Sequence, residues 1–317
     1  MTPTAAREAT ATPSGTTSTG AAPAATTAAA AGTVRMTKMH GAGNDYVYVD
    51  CRERDLADPA RIARAVSRRH HGIGADGLIL VRRADDADCR MEMYNADGSR
   101  AQMCGNGVRC VGKFVYDRGL HVNPIRIATD CGVKTLDLVV DARGRVSAAT
   151  VDMGAPILDG PRIPVARAGR VVDQPLEVGG TTWQVTCISM GNPHCVIFVP
   201  EVASLELDRI GPTFEHHPFF PERVNTEFVA LRSPRALDFR IWERGSGETM
   251  ACGTGACAAL VAGVLTGRTE RRALVHLRGG DLEIEWRADD HVTMTGAAAE
   301  VFTADVDLAT LYAATGA

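Results

Sequence analysis

The chain has 317 residues, 45% hydrophobic and 23% charged, with net charge −4 and an isoelectric point near 6.1. That is the composition of a soluble globular protein of about two domains, and it gives no electrostatic case for nucleic acid or an anionic membrane surface. The longest uncharged apolar run in the C-terminal half, Ala256 to Leu265, is too short to span a bilayer, so no membrane segment is expected.

In chain order, residues 1–33 are Ala, Thr, Pro, Ser and Gly with only Arg7 and Glu8 charged. Such a stretch cannot bury enough apolar surface to offset its ordering entropy, so a disordered arm is expected, without the pattern of a secretory or transit signal. Order should begin near Val34. Gly41 to Asp45 reads as a turn before a strand at Tyr46 to Asp50, and Asp58-Pro59 opens a helix to about Arg69. Gly72-Ile73-Gly74-Ala75-Asp76-Gly77 spells a dinucleotide fingerprint, but a helix precedes it and the strand Leu78 to Val81 follows it. This is the reverse of the order a nicotinamide cofactor needs, so none is expected. Further strands are expected at Cys89 to Tyr94, Ile125 to Ala128, Lys134 to Val140, Val146 to Met153, Trp183 to Ser189 and Cys195 to Val199. Others follow at Asn225 to Leu231, Leu237 to Trp242, Ala273 to Leu277, Leu282 to Trp286 and Val292 to Thr295. Helices should start at Cys104, running to about Tyr116, and at Cys252, running to about Leu265. The second is rich in small residues, which suits burial on every side.

Met103-Cys104-Gly105-Asn106-Gly107-Val108-Arg109-Cys110 and Met250-Ala251-Cys252-Gly253-Thr254-Gly255-Ala256-Cys257 read alike when Cys104 is aligned with Cys252. Gly43-Asn44 and Gly191-Asn192 match at the same offset of 148 residues. Two matches at one offset indicate a duplicated unit with one cysteine in each copy. The expected fold is therefore α/β (α+β): two similar halves, each a curved, mostly antiparallel sheet or barrel around a central helix, with an active site in the cleft between them. The halves are placed at 34–147 and 148–298, with 299–317 packing back on the first. The nine cysteines include no Cys-x-x-Cys pair, so reduced thiols in the cytoplasm fit better than disulfides, and no metal site is expected. His216-His217 reads as a solvated loop.

A Cys-Gly-x-Gly helix start leaves backbone N–H groups pointing at a ligand, and the positive helix end favours an anion there. It should also lower a cysteine pKa toward neutrality. Two such starts facing each other would clamp a carboxylate and place a sulfur on each side of its α-carbon. That suits removing a proton from one face and returning one to the other, without an electron-sink cofactor. His194 can either hydrogen-bond a catalytic sulfur or serve as a satisfied structural histidine; the sequence leaves both open. Arg244, beside Glu243, can pin a carboxylate bidentately. Asn44, Asn95, Asn192 and Asn225 offer paired donor and acceptor groups in turns or at strand edges.

These residues resemble the diaminopimelate epimerase family from about Met36 to the C-terminus. The resemblance is carried by Met39 to Asp45, Gly72 to Gly77, Asn95 to Ser99, Met103 to Gly107, Met190 to Cys195, Val224-Asn225, Glu243 to Thr249 and Cys252 to Gly255. It implies that Cys104 and Cys252 are the acid–base pair of a cofactor-independent epimerase of LL- and meso-diaminopimelate, with Cys252 the acceptor and Cys104 the donor for the LL form. His194 and Glu243 would tune the pair. Asn44, Asn95, Gly105, Asn106, Asn192, Asn225, Glu243, Arg244, Gly253 and Thr254 would contact the amino-acid substrate. The resemblance also implies a homodimer. Some members carry Gln where this chain has Gly77, so that side-chain contact is absent here. A related two-cysteine racemase of another amino acid, and a thiol-redox protein pairing Cys104 with Cys252, are the competing readings.

Overall fold

The computed structural model describes residues 32–101 and 103–316. The expected arm lies outside the described residues except at its end, where Thr33 already belongs to a strand. That strand, Thr33–Gly41, is held from both sides, by Asn44–Asp50 and by Ala299–Asp307.

Strands Thr33–Gly41, Asn44–Asp50, Gly77–Arg82 and Cys89–Asn95 pair successively in antiparallel, parallel and antiparallel fashion. Ile125–Thr129 then joins Cys89–Asn95 in parallel, and Gly132–Val140 and Val146–Gly154 follow antiparallel. The second half repeats this order. Thr181–Ser189, Pro193–Phe198, Asn225–Ser233 and Ala236–Glu243 pair antiparallel, parallel and antiparallel. Arg272–Leu277 joins in parallel, and Gly280–Trp286 and Val292–Ala297 close the series antiparallel. Val146–Gly154 pairs with Val292–Ala297, so one continuous sheet runs through both halves. At the far ends, Ala299–Asp307 flanks Thr33–Gly41 as Gln174–Val178 flanks Thr181–Ser189.

Among the described residues five α-helices accompany this sheet: α1 (Pro59–Ser67), α2 (Gly105–Tyr116), α3 (Leu207–Glu215), α4 (Gly253–Leu265) and α5 (Leu308–Thr315). α2 and α4 are the helices that each half-sheet curves around. Every residue of α4 from Gly255 to Gly263 is buried, as its small side chains demand, and α2 is buried from Asn106 to Val115. Val108, Val111 and Phe114 of α2 share one apolar core with Leu260 and Val261 of α4, each such side chain contributing roughly 1.5–3 kcal/mol by leaving water. Outside the sheet, α1 packs Ile62 and Val66 on Leu78 and Leu80. α3 sets Phe214 edge-on to Trp183 and Phe228, with centroids 5.7 and 5.8 Å away.

The structure adds elements that local pattern did not show: Thr33–Gly41, Gln174–Val178, Ala299–Asp307, two short strands, α3 and α5. α3 was hidden because Gly211 and Pro212 are poor helix formers, and packing of Leu207 and Phe214 overrides that preference. His216 and His217 lie in the loop after α3. The Gly72–Gly77 segment joins α1 to a strand, as its order of elements required. None of the nine cysteines is in a disulfide, and no helix among the described residues is long and apolar enough to cross a membrane.

Candidate active site

Cys104 and Cys252 occupy the same position in their halves. Each is in extended conformation as the N-cap of its helix, α2 or α4, and each is followed by glycine. Cys104 Sγ accepts from Gly107 N at 3.4 Å and donates to Asn44 Oδ1 at 3.1 Å, and Asn44 Nδ2 in turn donates to Asp76 at 2.7 Å. Cys252 Sγ lies 3.4 Å from Thr254 Oγ1.

Both cysteines line one cavity of about 900 Å³ between the halves. The first half brings Asn44, Asn95, Gly105 and Asn106 to it, and the second brings Asn192, Glu243, Gly253 and Thr254. Three expected site residues are not at its wall. His194 is fully buried, with Nδ1 2.6 Å from Glu227 Oε1 and Nε2 2.9 Å from Asn192 Oδ1, so both ring nitrogens are taken and neither reaches a cysteine. Asn225 is buried too, donating to Pro193 O and accepting from Arg244 N at 2.9 Å. The Arg244 side chain is exposed and donates from Nη1 to Glu222 O at 2.9 Å. Residues that pattern alone missed are Tyr46, Arg69, Cys131 and Lys134 at the cavity wall, and Glu227 behind it. Asp76 also lines the cavity, from within the glycine-rich segment whose letters spell a dinucleotide motif. Glu227 sits in a strand that is buried from Asn225 to Ala230, where an acid needs a reason.

The electrostatics differ from expectation. Helix-end N–H groups do favour the thiolates: Gly107 and Asn106 draw the Cys104 pKa down, and Gly255 does the same for Cys252. Burial outweighs them. It holds Cys104 above its ordinary range and Cys252 well above it, with the Glu243 carboxylate raising Cys252 further. Burial also raises Glu243, which accepts a hydrogen bond from Thr249 Oγ1 and is drawn back down by His194 and the Cys252 thiol. Burial pushes His194 down to about 3 and Glu227 well above the carboxylate range. Both catalytic candidates are therefore thiols at neutral pH.

Gly77 shows why no side chain serves at that position here. A Cβ would fall 2.1 Å from Tyr94 O and 3.0 Å from the Tyr46 ring, which itself lines the cavity.

Solved structures place this architecture in a class. A phenazine biosynthesis protein of the PhzF family from Bacillus anthracis superposes with TM-score 0.61 at 14% identity, covering 86% of this chain and 99% of that one. A hydroxyproline epimerase from Agrobacterium vitis gives 0.58 at 14% identity, covering 86% and 91%. The chain thus has the two-domain, sheet-dominated fold of these proteins. Its family is set by sequence. The diaminopimelate epimerase profile matches residues 36–158 and 186–301. Diaminopimelate epimerases from Acetivibrio thermocellus and Methanococcus maripaludis are 52% and 48% identical to it, over 87% of this chain and 99% and 100% of theirs. The chain belongs to the diaminopimelate epimerase family, a family of isomerases.

Proposed function

We propose that this chain interconverts LL- and meso-diaminopimelate by proton transfer between Cys104 and Cys252, in lysine and peptidoglycan precursor synthesis. The observation that carries the reading is the pair of equivalent N-cap cysteines, one from each half, on the wall of a single cavity. The N–H groups at Gly105, Asn106, Gly253 and Thr254 hold the α-carboxylate and offset charge as it develops there. Cys252 gives its proton to Glu243, the buried carboxylate that hydrogen-bonds it. The thiolate then takes the α-proton of the LL substrate while Cys104 delivers one to the opposite face. Asn44 orients Cys104, and Asn95 and Asn192 bind polar groups of the substrate. Asn225 and Arg244 act from behind, Asn225 fixing the turn that carries Glu243. His194 acts on Asn192 and on the charge near Glu243.

The division into 34–147, 148–298 and 299–317 follows the internal repeat. A cytoplasmic location is supported by nine cysteines without a disulfide. A homodimer is supported by Val301 and Phe302, large apolar side chains exposed on a strand that pairs on one side only among the described residues. Sedimentation tests the dimer. The substrate assignment is tested by comparing turnover of LL-diaminopimelate with histidine, ornithine and hydroxyproline. Preference for any of the other three would replace it with a related racemase.

A further inference from the structure

One side chain lies between the two cysteine turns. Met294, on strand Val292–Ala297, is fully buried. A Cβ at Gly105 would sit 3.1 Å from Met294 Cε, and a Cβ at Gly253 would sit 2.8 Å from its Sδ and 3.1 Å from the same Cε. The residues immediately after Cys104 and Cys252 thus both rest against a single thioether, and a side chain at either position would crowd it. Methionine is flexible by nature, yet this one is held. Arg109, itself fully buried on α2, donates from Nη1 to Met294 Sδ at 3.7 Å and to Gly105 O at 3.2 Å. Its Nη2 donates to Asn106 Oδ1 at 2.9 Å.

We propose that Met294, fixed by Arg109, is a positioning residue that sets the separation of the two cysteine turns and so keeps each sulfur in line with its own face of the α-carbon. This rests on the two-cysteine reading. Proton abstraction needs only one sulfur in place, whereas inversion needs both. A displacement of about 1 Å in such a site costs on the order of 100-fold in rate. The step lost first is delivery from the second sulfur, and the carbanion is then reprotonated on the face it came from by the abstracting thiol once its S–H has exchanged with solvent.

The test compares Met294→Leu and Met294→Ala with the unaltered protein on LL-diaminopimelate in D2O. The quantity read is deuterium in recovered LL substrate relative to deuterium in meso product. Leucine nearly conserves volume, and such swaps are the best tolerated in cores, so Met294→Leu remains informative if the alanine variant does not fold. The expected result is that this ratio rises roughly tenfold in Met294→Leu, with kcat lower and KM within about twofold. A loss of folded protein alone would reduce exchange and inversion together. An unchanged ratio therefore overturns the proposal. Cys104→Ala and Cys252→Ala are run alongside. If they still invert substrate, the two-cysteine reading itself has failed. If they do not, while Met294→Leu keeps the original ratio, only the spacing role has failed.

Discussion

Substitution of Glu227 tests whether the buried His194–Glu227 pair is neutral. Both residues are fully buried and share a 2.6 Å hydrogen bond, while Glu227 Oε2 has no partner among the described residues. His194 Nε2 donates to Asn192 Oδ1, so a neutral ring accepts at Nδ1 and needs a donor there: the protonated carboxyl. Glu227→Gln offers an amide N–H in its place and should melt within about 2 °C of the unaltered protein at pH 7. Glu227→Leu leaves Nδ1 unpaired at a cost of about 1–3 kcal/mol, or roughly 2–5 °C in Tm for a chain of this length. The pH dependence carries the sign. Because the Glu227 pKa is raised above 4.5, its stabilisation is complete below that pH and fades as pH rises toward the folded value. Glu227→Gln has no such loss. The contribution of His194, with its pKa lowered to about 3, fades as pH falls below its ordinary 6.5 and largely cancels in the comparison. The Gln variant should therefore gain on the unaltered protein between pH 5 and 9 in thermal melts followed by circular dichroism. In an ion pair, Glu227→Gln would strand a buried imidazolium at about 3–5 kcal/mol. A Gln variant melting as low as the Leu variant would refute the neutral pair.

Burial pushes Cys51 and Cys110 up to about 11 and Cys89 and Cys257 to about 12, so the stability they contribute is present below the ordinary thiol value of 9 and lost above it. Tm measured across pH should be level from 7 to 9 with respect to these groups and then fall; a level profile to pH 11 would contradict their burial as thiols. Gly77→Ala forces a Cβ to 2.1 Å from Tyr94 O and must push apart the paired strands Gly77–Arg82 and Cys89–Asn95, a loss of about 3 kcal/mol or more read by urea unfolding. Restoring a glutamine there should fail for the same reason. In ligand-free protein, iodoacetamide should alkylate Cys104 and Cys252 more slowly at pH 7.5 than it alkylates glutathione, with rates climbing past pH 9. Peptide mapping that finds either one faster would show that the helix ends outweigh burial.

Much of this was legible because the duplication is written in the chain. The helix starts at Cys104 and Cys252, and most strands, follow from local pattern, since alternating apolar residues and glycine-flanked caps are local signals. Two of the missed elements were legible only through the offset. Adding 148 to α1 (Pro59–Ser67) gives Leu207–Glu215, which is α3, and subtracting it from Thr181–Ser189 gives Thr33–Gly41. Each is obscured locally, α3 by Gly211-Pro212 and the strand by the low-complexity stretch before it. Their packing partners lie far away in sequence. The site divides in the same way. Motif residues beside the cysteines reached the cavity, whereas His194, Asn225 and Arg244 did not, because a motif gives proximity but not the direction in which a side chain points. Met294 and Glu227 carry no motif and emerge only when the halves close on them. The sign of the cysteine pKa shifts was lost similarly: the helix end is visible in sequence, but the burial that overrides it is not.

The most direct measurement follows deuterium and configuration together when LL-diaminopimelate is turned over in D2O by Cys104→Ala and Cys252→Ala. With Cys252 removing the proton and Cys104 returning one, both variants should lose inversion by about 10²–10⁴-fold. Cys104→Ala alone should still exchange deuterium into substrate that keeps its configuration. Inversion at the unaltered rate in both variants would contradict the account.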